Sequence, residues 1–183
     1  MQAVAAGTWP GIPALYAWGQ NANGRLCLND VISRSSPVQV GTSSTWAKIA
    51  SGLNHTIAIK TDGTLWSWGA NPQGQLGQND VIYRSSPVQI GALTTWSSIA
   101  NHSRFSIAIK TDGTLWLWGY NNYGQLGNNT TYNSSSPIQI GALTTWSKIT
   151  GGSLHAAAIK TDGTLWTWGR NNTGSPLGQN TGV

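Results

Sequence analysis

The segment Ile57-Ala-Ile-Lys-Thr-Asp-Gly-Thr-Leu-Trp66 recurs unchanged as Ile107-Ala-Ile-Lys-Thr-Asp-Gly-Thr-Leu-Trp116. Its last eight residues return again as Ile159-Lys-Thr-Asp-Gly-Thr-Leu-Trp166. Just beyond each copy stands a Trp-Gly pair, at Trp68-Gly69, Trp118-Gly119 and Trp168-Gly169, and a fourth pair precedes them at Trp18-Gly19. Each pair lies 50 residues from the next. Gly74-Gln-Leu-Gly77 and Gly124-Gln-Leu-Gly127 keep the same phase, as do the looser Gly24-Arg-Leu-Cys27 and Gly174-Ser-Pro-Leu-Gly178. So do Ser36-Pro-Val-Gln-Val40, Ser86-Pro-Val-Gln-Ile90 and Ser136-Pro-Ile-Gln-Ile140, each followed by Trp46, Trp96 or Trp146. Compositional bias cannot hold so many positions in register. The chain is a tandem repeat.

Each unit reads as four short strands. Trp96-Ser-Ser-Ile-Ala100 starts the first, and Ser106-Ile-Ala-Ile-Lys110 alternates, with Ile107 and Ile109 on one face and Ala108 on the other. Asp112-Gly113 predicts a two-residue type I′ hairpin, a turn that needs positive φ at both central residues. Thr114-Leu-Trp-Leu-Trp-Gly119 forms the returning strand, Asn121-Asn-Tyr-Gly124 a turn cluster, and Ser136-Pro-Ile-Gln-Ile140 an outer strand whose Pro137 suits an edge. No stretch carries a helical period with caps. Four strands per 50-residue unit with an aromatic-glycine signature predict an all-β fold of β-propeller blades, about three and a half in this chain. The blocks are 1–40 (partial), 46–90, 96–140 and 146–183 (partial). The expectation is therefore that another chain completes the ring, as a homo-oligomer or within a larger assembly.

Composition narrows function. Of 183 residues 11 are Trp and 23 Gly, yet only 8% are charged, against about 25% in an ordinary domain. There is no Glu, and five Asp face ten Lys and Arg for a net charge of +5. No apolar run is long enough to span a bilayer, so membrane insertion is not expected. The first basic residue is Arg25, so no basic n-region of a secretory signal is expected. The lone Cys27 excludes an intramolecular disulfide and a Cys-rich zinc site.

The stretch Gly52-Leu-Asn-His-Thr-Ile-Ala-Ile-Lys-Thr-Asp-Gly-Thr-Leu-Trp-Ser-Trp-Gly-Ala-Asn-Pro-Gln-Gly-Gln-Leu-Gly77 resembles the repeat of the regulator-of-chromosome-condensation family. The shared pattern is Gly-x-x-His, an apolar strand, Asp-Gly, an aromatic strand ending in Trp-Gly, then Asn-x-x-Gly-Gln-Leu-Gly. The resemblance implies a propeller, usually of seven blades. The family resemblance also implies nucleotide exchange on a small GTPase as a candidate activity, which in the founding members depends on acidic and polar loops. The loops here are Asn, Ser, Thr and Gly without Glu, and they give no support to that activity.

Candidate residues fall into three sets. Trp18, Trp46, Trp66, Trp68, Trp96, Trp116, Trp118, Trp146, Trp166 and Trp168 are assigned to the blade core. Asp62, Gly63, Asp112, Gly113, Asp162 and Gly163 are assigned to hairpin turns. Arg25, His55, Tyr83, Arg84, His102, Arg104, Tyr120, Tyr123, Tyr132 and His155 are the candidates for partner-binding loops. His55 and His155 also read as anchors at a strand start. Repeat-equivalent Asp30 and Asp80 lie 50 residues apart, on different blades, a poor arrangement for a carboxylate pair acting on one bond. Neither a nucleophile elbow nor a phosphate loop is present, so no catalytic residue, metal or cofactor is assigned. The basic residues are scattered singly, which argues against nucleic acid as the partner. The reading is a non-enzymatic protein-binding or structural propeller, in a virion or at an extracellular surface. A secreted binding or inhibitory propeller acting on an enzyme is the alternative, a cytoplasmic location the alternative setting, and GTPase nucleotide-exchange or lectin activity stands behind both.

Overall fold

The computed structural model describes residues 14–171 and residue 177. Thirteen strands run β1 (Tyr16–Gly19), β2 (Arg34–Gln39), β3 (Trp46–Ser51), β4 (His55–Lys60), β5 (Leu65–Gly69), β6 (Arg84–Gln89), β7 (Trp96–Asn101), β8 (Phe105–Lys110), β9 (Leu115–Gly119), β10 (Ser134–Gln139), β11 (Trp146–Gly151), β12 (His155–Lys160) and β13 (Leu165–Gly169). All pair antiparallel. They form two four-stranded meanders, β3-β4-β5-β6 and β7-β8-β9-β10, flanked by the pair β1-β2 and the triplet β11-β12-β13. These are propeller blades. The preceding Gln2–Trp9 segment, expected to add a degenerate strand, lies outside the described residues, as do most of the residues after Asn171.

Alternation along each strand sorts side chains to two unlike faces. In the second full blade Phe105, Ile107 and Ile109 join Leu115 and Leu117 on one face, packed against Trp146, Ala156 and Ala158 of the next sheet. On the other face Ala108, Trp96 and Trp118 meet Ile57, Ile59, Leu65 and Ile90 of the preceding blade. Each interface thus sets a Trp/Ala face against an Ile/Leu face. Small Ala leaves room for the indole ring, and the two faces pack together through that alternation. The indole N–H closes the seam. Trp68, Trp118 and Trp168 donate from Nε1 to the carbonyls of Arg25, Gln75 and Gln125 in the sheet before, at 3.0, 2.9 and 3.0 Å.

Trp46, Trp96 and Trp146 each stand edge-on to two more indoles of their own sheet, at 5.8–6.3 Å between centroids. Lys60, Lys110 and Lys160 lay their ammonium over the outer ring of the set, Trp66, Trp116 or Trp166, at 4.0, 3.6 and 3.9 Å. Two of the expected core tryptophans are exposed. Trp18 is 59% exposed because no described residue packs over the outer face of the first sheet. Trp166, on the inner face of the last sheet beside Trp146, is 49% exposed because no described strand pairs with β13 as β6 pairs with β5.

The hairpins differ from the type I′ expectation. Gly63 N–H donates to Lys60 O at 2.9 Å and Lys60 N–H to Thr64 O at 3.0 Å, which makes a three-residue loop, 61–63. Only Gly63, not Asp62, has positive φ, at 79°. This is a tight turn followed by a left-handed glycine, the usual three-residue hairpin. Asp62 Oδ1 accepts from the Thr64 amide at 2.9 Å and its hydroxyl at 2.6 Å, and both bonds hold the carboxyl below its ordinary pKa. Asp112 and Asp162 repeat the arrangement. Sequence read the residues correctly and the turn wrongly.

Candidate functional site: the loop end of the blades

Strand direction sends each connection to one of two ends. Hairpins 61–64, 111–114 and 161–164 share one end with the blade-to-blade connections 90–95 and 140–145, as the Trp96 amide bonded to Gly63 O shows. The other end gathers the short loops 52–54, 102–104 and 152–154 and the long loops 20–33, 70–83 and 120–133, tied by Ala70 N–H to Asn54 O and Tyr120 N–H to Arg104 O.

The long loops are built around one buried Asn. Asn21, Asn71 and Asn121 are fully buried, and each Oδ1 accepts from the amide of Leu26, Leu76 or Leu126 at 2.9 Å. In the first two units the Asn Nδ2 donates back to Asp30 or Asp80, whose carboxylate also holds Arg34 or Arg84 at 2.5 and 2.6 Å. The Ile32 amide bonded to Asp30, with help from the Arg34 guanidinium, holds that carboxyl below the usual range. Fixed loop bases carry exposed apolar tips. Val31, Ile32, Val81, Ile82, Tyr83 and Tyr132 all stand in solvent, Tyr132 at 80%. Sequence reasoning missed the aliphatic tips and the buried Asn, although Trp-Gly-x-Asn and Asn-Asp-Val-Ile recur visibly.

The loop candidates separate into distinct roles. His55 is not a surface residue but is 1% exposed, which corrects its assignment to partner binding. The Ser106 hydroxyl donates to Gln75 O at 2.9 Å, leaving its oxygen to accept from His55 Nε2 at 3.0 Å. Asn101 Nδ2 donates to the His55 carbonyl at 3.2 Å, so the ring and its backbone both bond across the blade interface. Burial pushes the imidazole pKa down to about 3, keeping it neutral. Arg25 donates to Leu53 O at 3.0 Å, and Arg84 is held by Asp80. His102 is half-buried, its pKa lowered first by burial and then by His155 nearby. Tyr120 and Tyr123 stack edge to face at 6.3 Å, with Arg104 6.0 Å from the Tyr120 ring and Arg170 5.0 Å from the Tyr123 ring.

Residues 14–59, 62–109 and 112–159 match the regulator of chromosome condensation (RCC1) repeat, and a second description of that repeat matches 46–75 and 146–175. The chain belongs to the RCC1 repeat family. One matched RCC1 unit, 62–109, holds the last two strands of one sheet and the first two of the next, so every repeat stitches neighbouring blades together. Among solved structures the chain is similar to human WBSCR16, at 21% identity and a TM-score of 0.77 over 86% of this chain and 43% of that one. It is also similar to yeast RCC1 (Prp20) bound to Kap60, at 24% identity and a TM-score of 0.75 over 86% and 40%. A further structure of Saccharomyces cerevisiae Prp20p, described with its binding properties to Gsp1p and histones, gives 21% identity and a TM-score of 0.74 over 86% and 42%. The chain therefore spans about two-fifths of the length of these relatives. No curated protein matches it. At these identities the likeness speaks for the fold, which is the RCC1 propeller.

Proposed function

We propose that this RCC1-repeat chain is a non-enzymatic protein-binding propeller whose loop end carries the partner surface. One observation carries the reading. Apolar tips at Val31-Ile32, Val81-Ile82-Tyr83 and Tyr132 stand exposed on loops whose bases are locked by buried Asn21, Asn71 and Asn121. Exposed apolar groups on a rigid base bind without paying for loop ordering. The structural relative Prp20, solved with Kap60 and characterised for binding to Gsp1p and histones, favours the same class of partner. Panning a displayed random-peptide library against the full chain tests it. Replacing Val81, Ile82 and Tyr83 together by Ser is expected to abolish capture, and replacing exposed Leu93 and Leu143 at the hairpin end by Ser to leave it intact. Equal capture by both variants overturns the proposal.

A second observation favours assembly. The first sheet shows an outward Trp18 and the last an outward Leu165 that is 66% exposed. These are the Trp-type and Leu-type faces that meet at every internal interface, and we take them to be covered by further blades, a second copy of the chain being the proposed source. The setting proposed is a virion or an extracellular surface. Sedimentation equilibrium should give a mass above the 19.4 kDa of one chain. A monodisperse monomer in dilute solution rejects self-assembly.

A further inference from the structure

The repeat supplies its own control, because equivalent positions in successive units share a fold and their differences can be compared one by one. At the hairpin end the two full units, with the connections that follow them, do not differ. Residues 57–66 equal 107–116, and 90–96 equal 140–146. At the loop end the second full unit departs from its neighbours. Arg104 replaces Asn54 and Leu154, and His102 replaces Gly52 and Gly152. Tyr120 stands where the first full unit has Ala70, and Tyr123 where it has Gln73. The Asp30–Arg34 and Asp80–Arg84 ion pairs of the first two long loops become Thr130 and Ser134, so this loop has lost its carboxylate.

The new side chains converge. Arg104, Tyr120, Tyr123 and Arg170 form one ladder across two sheets, guanidinium on ring, ring on ring, ring on guanidinium. Both rings and both cations come from loops at the same end, and no Asp or Glu occurs in 101–104, 120–134, 152–154 or 169–171. Indeed all five Arg of the chain sit at the loop end, together with four of its five Tyr, whereas the five Lys lie on the inner strands or beside the hairpins.

We propose that the Arg104–Tyr120–Tyr123–Arg170 ladder is the docking site for an acidic segment of a partner protein. The inference rests on the protein-binding reading above and names its partner. Arginine forks match carboxylates bidentately, and the cation–π contacts with Tyr120 and Tyr123 restrict where the two guanidinium groups sit before the partner arrives. Arg and Tyr are also the residue types that dominate binding energy at protein interfaces. A polypeptide fits better than a nucleic-acid backbone. The flanking tips are aliphatic and suit the side chains of a peptide, and the ladder offers two cations, a footprint for a short acidic segment rather than for a long run of phosphates.

The same peptide panning tests this with a different readout. Captured sequences should be enriched in Asp and Glu, and a synthetic captured peptide should lose at least about ten-fold in affinity for the variant Arg104→Ala/Arg170→Ala. The variant Lys48→Ala/Lys148→Ala removes the same charge from the inner strands and should bind within about two-fold of the wild type. Thermal unfolding of both variants checks that they are folded, and Tyr123→Ser, at an exposed ring, repeats the test without altering charge. Peptides without acidic enrichment, or equal losses in the two double variants, overturn the acidic-partner proposal while leaving protein binding standing. Capture lost only with the Val81, Ile82 and Tyr83 changes does the same. Failure to capture any peptide removes both. Tighter binding of a single-stranded oligonucleotide than of the peptide, lost in the arginine variant, replaces the partner with nucleic acid and overturns the proposal.

Discussion

At the residue scale, repeated positions make different demands on the same side chain. Trp118 is fully buried and donates across the blade interface, whereas Trp18 at the equivalent position is mostly in solvent. Trp118→Phe removes that bond and leaves space, so a loss of about 1–3 kcal/mol is expected in denaturant unfolding. Trp18→Phe in the monomeric chain should change stability by less than about 0.5 kcal/mol. Sequence assigned both to the core because a repeat reveals equivalence, and burial depends on what lies opposite. His55 illustrates the same limit with chemical consequences. Its folded pKa of about 3 lies below the usual 6.5, so the unfolded chain binds the extra proton in between. Stability from this group is complete above the unfolded value and is lost as pH falls from about 6.5 towards 3, at up to about 1.4 kcal/mol per pH unit. His55→Phe, copying Phe105, should flatten the stability profile between pH 6 and 4.5. An unchanged slope would show that His55 is not the group that titrates.

At the element scale, the hairpins were legible as hairpins but not as a turn type. Asp-Gly satisfies a two-residue and a three-residue loop alike, and the choice is made by Thr64, whose amide and hydroxyl both bond back to Asp62. Gly113 and Gly163 occupy the same step of this turn with φ of 78° and 84°. Around Gly163 there is open space, whereas a Cβ on Gly113 would run into the Thr144 carbonyl of the connection to the next sheet. Gly163→Ala should therefore cost only the left-handed backbone strain, about 1 kcal/mol. Gly113→Ala adds a backbone clash and should cost clearly more. Paired chemical melts measure the difference, and equal losses would mean that the connection yields to the added methyl. The Lys-Thr-Asp-Gly-Thr motif thus encodes the turn, while the packing that makes Gly113 intolerant of change is supplied by the connection at Thr144, 31 residues later.

At the scale of the whole molecule, stability is a chain of nearest-neighbour interfaces, because each sheet touches only the sheets beside it. Periodicity made the blades, the Trp-Gly strands and the stacked order readable in advance. It could not reveal the loop-end ladder, because Arg104, Tyr120, Tyr123 and Arg170 are 66 residues apart at the extremes and meet only once two sheets are stacked. The same stacking predicts a gradient of protection. Strand β8 is buried at every position, whereas β13 is exposed at Leu165 and Trp166 and nowhere fully buried. Amide hydrogen exchange should therefore be slowest in β8 and β9 and fastest in β1, β2 and β13 when the chain is dilute. Raising the concentration separates two causes of that fast exchange. If a second copy covers the end faces, protection should rise in β1 and β13 together, since a head-to-tail contact seats the Trp-type face of one chain on the Leu-type face of the next. Protection that stays low in both strands at high concentration would leave the faces to some other polypeptide, and a rise confined to the loop-end segments 102–104 and 120–133 would locate self-association at the ladder instead.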